Sequence, residues 1–137
     1  MFFDRPVPNP TEDTEPYWKA VNDKRELHIP RCQACGHWYM PPMAICPKCN
    51  SNEIGLEQVS GEGTLYSFIV VHQSQHPYFF ANPGYNVAMV QLKEGPILHS
   101  KLIGIEKDDA ERGMPLVVDF EKIDDDNWLP VFKKAAA

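Results

Sequence analysis

The chain has 137 residues, of which 43% are hydrophobic, and it carries a formal net charge of −6. This length suits one ordinary domain or two very small ones, and the 3 Trp, 5 Tyr and 7 Phe argue against an intrinsically disordered chain. No apolar stretch approaches the roughly 18 residues that a membrane span requires.

The negative charge is concentrated towards the C-terminus. Residues 106–127 contain nine acidic and three basic side chains, whereas the remainder of the chain is balanced. A basic face of the kind that binds nucleic-acid backbones is therefore not expected. The first residues show no apolar run followed by a cleavage site. Together with reduced cysteines, this predicts a cytoplasmic protein that does not contact membranes.

The first regular element is predicted to be a helix over residues 13–25. Asp13 or Thr14 can cap its first turn, and Tyr17 and Trp18 lie on one side of it at helical spacing. That side either packs on the neighbouring domain, which is the commoner use of an apolar stripe, or docks a partner protein.

Four cysteines follow in two identical Cys-x-x-Cys pairs, Cys32 with Cys35 and Cys46 with Cys49, and the chain has no others. Two such turns facing each other complete a tetrahedral site of four sulfurs, the geometry that Zn2+ accepts. The alternatives are two disulfides or a redox pair, but no secretory context supports disulfides and a redox motif needs only one pair. Zinc in such a closed site is structural, because no coordination position stays open for a substrate.

From residue 57 onwards the sequence alternates with a period of two and is rich in β-branched residues. Five short strands are predicted, at residues 64–71, 85–92, 97–103, 116–123 and 128–132. Five strands of this length, bent by glycines, are typical of a small closed barrel of the OB type. A small sandwich would give a similar pattern.

The connection between the first two of these strands is predicted to be a long loop bounded by prolines. It contains three consecutive aromatic residues, Tyr78, Phe79 and Phe80, and a small barrel is not expected to bury all three. They form either an apolar lip that meets a ligand or partner, or a cover over an open barrel end. His72 and His76 flank the loop, and either could act as a base, although neither has a nucleophile or carboxylate partner in the sequence.

The sequence therefore predicts a mainly β fold in three parts. Residues 1–30 form an arm and the helix, residues 31–56 a rubredoxin-like zinc ribbon, and residues 57–134 the five-stranded OB-type barrel. No catalytic set of residues converges at a recognisable spacing, so binding surfaces are the expected functional features.

The order of these motifs resembles the zinc-ribbon and OB-fold family of acyl-CoA-associated proteins, long catalogued as a domain of unknown function. The resemblance rests on a Tyr-Trp helix, the two cysteine pairs and several turn motifs: Pro30-Arg31, Pro41-Pro42, Ser60-Gly61-x-Gly63, Pro83-Gly84-Tyr85, Glu94-Gly95 and Gly113-Met114-Pro115. It covers the chain from about residue 16 to residue 132. One departure is Met43, since family members often carry a basic residue directly after the two prolines.

The resemblance implies a non-catalytic accessory subunit of an acyl-CoA-processing complex. Family members accompany thiolases, thiolase-like aldolases and acyltransferases, and sometimes hydratases that act on CoA thioesters. A thiolase-fold enzyme is therefore the expected partner, and a CoA thioester could be bound jointly with it. A nucleic-acid-binding module is the alternative function, and an enzyme in its own right is a third. The expected contacts with partner or acyl-CoA are Tyr17, Trp18, Tyr78, Phe79, Phe80 and Tyr85.

Overall fold

The computed structural model describes residues 4–136, and residues 1–3 of the predicted arm lie outside the described range. Within this range the chain forms seven strands, two α-helices and one short 3-10 helix. The helices are α1 (Glu15–Lys24) and α2 (Pro77–Ala81), and the 3-10 turn is Lys107–Asp109. The strands are β1 (His28–Cys32), β2 (Ile54–Gln58), β3 (Glu62–Val71), β4 (Tyr85–Leu92), β5 (Ile97–Ser100), β6 (Pro115–Lys122) and β7 (Trp128–Lys134).

The larger sheet is antiparallel, with the strand order β5-β4-β3-β6-β7. A register shift between Leu65 and Ser67 marks a bulge in β3, and such bulges bend a strand and increase its twist. The sheet curls until the segment after β5 meets β7, where Phe132 N donates to Lys101 O and Ile103 N donates to Phe132 O, both at 2.9 Å. This curled five-stranded sheet confirms the predicted OB-type fold class.

The smaller sheet pairs β1 with β2, from His28 opposite Gln58 to Cys32 opposite Ile54. In the sequence, Leu27, His28 and Ile29 alternate as in a short strand before the first cysteine, whereas no pattern assigns β2. All but the last residue of β2 are half-buried, so its sequence shows little of the alternation by which a half-exposed strand is recognised. The pairing brings the chain back to β1 after the cysteine-containing segment and closes that segment at its base.

One hydrophobic core joins all parts of the molecule. Its fully buried side chains include Leu65 and Phe132 from the larger sheet, Ile29 from β1 and Val21 from α1. The helix is further attached to β7, because Trp128 N donates to Asn22 Oδ1 at 2.8 Å. Burial of apolar area in this cluster, at about 25 cal/mol per Å2, is the main stabilising contribution.

Two elements differ from the sequence prediction for identifiable local reasons. The predicted loop contains α2, whose first turn begins with Pro77 and is capped by His76, where Nδ1 accepts from Tyr78 N at 3.2 Å. Strand β5 ends at Ser100, three residues early, because the Asn86 side chain binds both the N–H (2.6 Å) and the C=O (3.0 Å) of Leu102. The side chain of Asn86, and not the backbone of β4, therefore provides the hydrogen-bond partner of Leu102.

Gly61 provides a test of the close approach of β3 to β6. It has a φ of +79°, and a Cβ at this position would lie 2.3 Å from Val118 Cγ1. We expect Gly61→Ala to lower the free energy of unfolding by about 2–4 kcal/mol, because a left-handed conformation and a steric clash both add cost. Denaturant unfolding measures this change.

The matched control is Gly104→Ala. Gly104 also has a positive φ, +67°, but an added Cβ there would meet no atom within 4 Å. Only the conformational cost of about 1–2 kcal/mol applies, so an equal loss of stability in the two variants would contradict the predicted clash at Val118.

Candidate metal centre and aromatic groove

The four cysteines lie together, and their Sγ atoms are all within 4.8 Å of one another. The nearest pairs are Cys32 with Cys49 at 3.5 Å and Cys35 with Cys46 at 3.7 Å. A tetrahedral zinc site with Zn–S bonds of about 2.3 Å requires sulfurs about 3.8 Å apart. A disulfide would need about 2.05 Å. The arrangement therefore fits a four-sulfur metal centre and does not fit the disulfide alternative.

The backbone after each pair is folded in the same way. Gly36 N donates to Cys32 O at 2.8 Å, and Asn50 N donates to Cys46 O at 2.9 Å. Both turns use a positive φ, +77° at Gly36 and +62° at Asn50, a conformation that Gly and Asn adopt most readily. The amide of Lys48 lies 3.4 Å from Cys46 Sγ, so backbone dipoles point at the sulfur. Such donors favour a thiolate, which is the form that binds a metal.

The thiol pKa values show how strongly the sulfurs interact. Burial opposes ionisation of Cys32, but backbone hydrogen bonds from Cys35 and Ala34 and its sulfur neighbours lower its pKa to about 7. At Cys49 the amide of Ser51 lowers the pKa, yet hydrogen bonding to the other sulfurs and burial raise it to about 12. Four adjacent sulfurs cannot all ionise by themselves, and a divalent cation supplies the charge that would allow it.

The four sulfurs of the cluster are sufficient to fill every coordination position of a tetrahedral metal ion. Cys32 and Cys46 are buried, whereas Cys35 and Cys49 are exposed. His37, which follows the first pair, stacks its ring on Tyr39 with centroids 6.2 Å apart and is outside the cluster of potential ligands. Four sulfurs complete a tetrahedral set, so this centre can hold the ribbon together but offers no position for a substrate.

A groove of about 520 Å3 opens on another part of the surface, between α1, the segment after the first cysteine pair, α2 and one side of the larger sheet. We call it the aromatic groove. Its volume lies within the range of about 300–1,000 Å3 that is usual for small-molecule sites. Its lining residues are Arg5, Thr14, Tyr17, Trp18, Met40, Pro41, Pro42, Tyr78, Phe79, Asn82, Tyr85, Asn86, Val87, Leu98, His99, Ser100, Lys101, Leu129, Pro130 and Val131.

The groove brings together residues that the sequence placed on separate surfaces. Five of the six candidate contact residues line it, two from α1 (Tyr17, Trp18) and three from the α2 region (Tyr78, Phe79, Tyr85). Phe80 is absent from the lining and projects outwards, with 71% of its surface exposed. The predicted helix surface and the predicted aromatic lip are therefore two walls of one groove, and Phe80 is a separate apolar feature on the outer side of α2.

The aromatic walls are ordered by contacts among their own rings. The Phe79 ring lies 4.7 Å from that of Tyr85 and 5.1 Å from that of Tyr78, measured between centroids. Tyr17 and Trp18 meet edge to face at 5.0 Å. Such pairs contribute about 0.5–1.5 kcal/mol each beyond their buried area. Tyr17 is almost fully buried, and burial raises the pKa of its hydroxyl, so it remains neutral in the groove wall.

The charged side chains that line the groove are both cations, Arg5 and Lys101. The lining also contains His99 and has no Asp or Glu. Glu121 lies behind the wall, where its carboxylate accepts from Arg5 Nη1 at 2.6 Å and from Lys101 Nζ at 3.1 Å. Partial burial would by itself raise the pKa of Glu121, but these hydrogen bonds outweigh it and hold the pKa below the usual value.

The two histidines considered as bases have no catalytic arrangement within residues 4–136. His76 uses Nδ1 to cap α2, and its ring packs edge to face on Phe79 at 5.7 Å. His72 lines a second, smaller cavity together with Glu106 and Lys107, but in the described residues its ring makes no hydrogen bond or ion pair with that carboxylate.

No helix in the described part of the chain is long and apolar enough to cross a membrane.

Sequence reasoning missed the groove's cationic residues. Arg5 and Glu121 are 116 positions apart, and Lys101 reaches Glu121 from 20 positions away. Charged residues so far apart form no short motif in the sequence that would indicate their pairing. The pairing could be found only from the fold, which brings the N-terminal arm, the end of β5 and β6 together.

Glu121→Gln tests this ion cluster. Because the folded-state pKa of Glu121 is lowered, its contribution to stability is present above the unfolded-state pKa and is lost as the pH falls through the folded-state pKa. We expect the variant to be less stable by up to about 1 kcal/mol near neutral pH, a small value because the group is partly exposed. The difference should vanish in acid below the usual carboxyl range. Denaturant unfolding of both proteins over a series of pH values measures this difference in stability. Glu53→Gln, at an exposed position, is the control. A stability difference that persists in acid would argue that the ion pairs of Glu121 are not its source.

Cys46→Ser tests the metal centre. Cys46 is fully buried among the sulfurs, and we expect the protein to bind one zinc ion per chain and the variant to lose it. Ligand binding energy at a structural zinc site is folding energy, on the order of 10 kcal/mol, so the ribbon should unfold with the loss. Elemental analysis and near-ultraviolet circular dichroism measure both effects. Lys48→Ala, between the same two ligands, should keep its zinc, and an unchanged zinc content in Cys46→Ser would refute the four-sulfur assignment.

Two family profiles match the chain in the order of its structural parts. The ChsH2 rubredoxin-like zinc ribbon domain matches residues 23–54, and the ChsH2 C-terminal OB-fold domain matches residues 56–121. The first match contains all four cysteines and the second contains β3, β4, β5 and most of β6. Together they cover more than half of the chain.

Individual relatives agree with these profiles. A "Probable enoyl-CoA hydratase alpha subunit" of Thermomonospora curvata is 40% identical over 131 residues, which are 96% of this chain and 40% of that protein. The chain thus spans less than half the length of that relative. A "DUF35 domain-containing scaffold protein" of Pyrococcus furiosus is 32% identical and matches over 78% of this chain and 77% of its own length.

A solved structure shows the same architecture. The structure named "Ltp2-ChsH2(DUF35) aldolase" superposes with a TM-score of 0.84 and 39% sequence identity, and the match covers 94% of this chain and 99% of that chain. The resemblance inferred from the motif order is therefore confirmed at the level of the family. The chain belongs to the DUF35 family, in which a ChsH2-type zinc ribbon precedes an OB-fold domain.

Proposed function

We propose that this chain is an accessory subunit of an acyl-CoA-processing complex, with no bond-making chemistry of its own. Its partner would be a thiolase-fold enzyme, a thiolase, retro-aldolase or acyltransferase, whose acyl-CoA site it shapes or stabilises in the cytoplasm. The observation that carries the proposal is the aromatic groove, which joins both predicted contact surfaces. The relatives named as a scaffold protein, a hydratase alpha subunit and an aldolase assembly support a role inside a complex.

The metal centre supports a structural contribution. With four sulfurs as donors, a zinc ion would be saturated and could act neither as a Lewis acid nor as a source of hydroxide. The same donor set uses every thiol of the chain. Zinc would supply folding energy to the ribbon, and the ribbon in turn holds Met40, Pro41 and Pro42 in the groove wall.

The groove supports a role in binding the acyl part of a substrate. Its aromatic walls exclude water from one side of an apolar ligand, and a partner enzyme lying over the open side would complete the enclosure. Removing water strengthens electrostatic interactions in an active site and protects reactive thioesters from hydrolysis. The CoA thioester would then be bound jointly, with the reacting atoms on the partner.

The charge distribution favours this role over the alternative of a nucleic-acid module. Six Lys and Arg side chains in the described range already pair with carboxylates of the same chain, two of them, Arg5 and Lys101, with the single carboxylate of Glu121. The net charge is −6, and affinity for phosphate backbones requires clustered, uncompensated cations.

Affinity purification of the tagged chain from extract of its native host, with mass spectrometry of the bound proteins, tests the partner. We expect a thiolase-fold enzyme in a fixed ratio to the chain, and a lower acyl-CoA turnover when that enzyme is assayed without it. A hydratase in fixed ratio would contradict the thiolase-fold partner and retain the accessory role. Recovery of the chain without any stoichiometric partner would contradict the accessory role itself.

Phe80→Ala tests whether the outer side of α2 contacts the partner. Phe80 is 71% exposed, so its removal should leave the melting temperature within about 1–2 °C. If its ring is buried in the complex, we expect association to weaken by about 1–2 kcal/mol, or roughly 5–30-fold. Calorimetry and binding titration measure the two effects.

The matched control is Tyr66→Ala. Tyr66 is an exposed aromatic residue, at 45%, but it lies in the middle of β3, away from the end of that strand that leads to α2. Its removal should leave association unchanged. Equal weakening in both variants would show that exposed aromatic area in general, and not the α2 surface, determines association.

A further inference from the structure

The lining of the aromatic groove combines apolar walls with a pair of cations. Arg5 and Lys101 both line the groove, whereas the carboxylate that holds them, Glu121, does not. In a chain with 19 acidic residues and 13 Lys and Arg, a lining without a single Asp or Glu is a local reversal of charge. The groove therefore favours a ligand that is both apolar and negatively charged.

The polar uncharged side chains in the lining are largely committed to the backbone of their own chain. Ser100 Oγ donates to Pro130 O at 2.9 Å, and Asn82 Nδ2 donates to Tyr78 O at 2.7 Å. Asn86 binds the N–H and C=O of Leu102. These side chains are largely committed to the backbone, so Arg5 and Lys101 are the charged groups of the lining that can select an anion.

The cations retain donors after binding Glu121. In the described residues the hydrogen bond from Arg5 Nη1 uses one of the five N–H groups of the guanidinium. Lys101 Nζ directs its contacts to both oxygens of the same carboxylate, at 3.1 and 3.3 Å. Two cations that share one carboxylate leave one positive charge uncompensated. This matches a single negative charge better than the several negative charges of a CoA nucleotide.

We propose that the aromatic groove binds an apolar carboxylate, a molecule with an extended hydrocarbon body and one carboxylate end. The body lies between Trp18 and Phe79, and the carboxylate meets Arg5 and Lys101. The inference rests on the proposed function and goes beyond it, because it adds a free acid to the ligands of the same groove.

Calorimetric titration of the full, zinc-loaded chain tests this inference. Decanoate and decylamine, each below its micelle concentration, carry the same hydrocarbon body and opposite charges. We expect decanoate to bind at least about tenfold more tightly than decylamine, since charge-assisted hydrogen bonds form only with the anion. Equal affinities, or tighter binding of decylamine, would overturn the assignment.

Two variants locate the carboxylate. Lys101→Gln and Arg5→Gln should each weaken decanoate binding at least about fivefold and leave decylamine binding no weaker, because only the anion loses a partner. Lys19→Gln removes the same charge from the exposed side of α1, outside the lining, and should change decanoate binding less than about twofold, as expected for a distant exposed charge. Equal effects of Lys101→Gln and Lys19→Gln would overturn the proposed contact.

Two further ligands distinguish the source of the anion. Decyl phosphate carries a larger charge on the same hydrocarbon body, and CoA alone carries phosphates without an acyl chain. Decanoate should bind more tightly than both, and the reverse order for either ligand would overturn the assignment to a single carboxylate.

The outcome can be separated from that of the proposed function. A chain that copurifies with a thiolase-fold enzyme but does not bind decanoate would overturn this inference alone. A chain that binds decanoate but has no stoichiometric partner would overturn the accessory role alone.

Discussion

The four-sulfur cluster is the constraint on which the rest of the molecule depends. The segment between β1 and β2 has few buried apolar side chains of its own, and one of its buried residues is the metal-binding candidate Cys46, whose buried partner Cys32 ends β1. So small a unit cannot reach stability by burial alone. Once the sulfurs are tied together, the intervening chain has a fixed path, and that path places Pro41 and Pro42 in the groove wall. The metal centre thus determines the position of a binding surface in which it takes no part.

The larger sheet contributes the other half of that surface. Its interior is packed with Leu65, Val90 and Phe132, and the contact of Leu102 with Phe132 joins its two edges. A sheet closed in this way deforms little, because its core is already at crystal-like density. The groove therefore has a rigid floor on the sheet side, whereas α2, which forms one of its walls, has no buried residue. Motion that admits or releases a ligand is expected in α2 rather than in the floor.

The predictability of this structure from sequence varies with the range of the interactions involved. The cysteine cluster and β4 follow from local spacing and alternation, so the sequence predicted both. Strand β2 was not predicted, because it is half-buried along nearly its whole length and so lacks the alternation of apolar and polar residues that identifies a strand. The pairing of Arg5 with Glu121 across 116 positions has no local signature at all. Phe79 and Phe80 were equivalent in sequence, and only the orientation of α2 separates the groove wall from the exposed ring.

Tyr17 belongs at once to the hydrophobic core and to the groove wall. A substitution there that reshaped the groove would also loosen α1, so its identity is constrained by folding before binding is considered. Helix α2 is not under this folding constraint, since none of its residues is buried. Changes at Tyr78 and Phe79 can therefore alter the groove at little cost to folding. Divergence of ligand preference among relatives of this chain is expected to accumulate in α2, with α1 changing slowly.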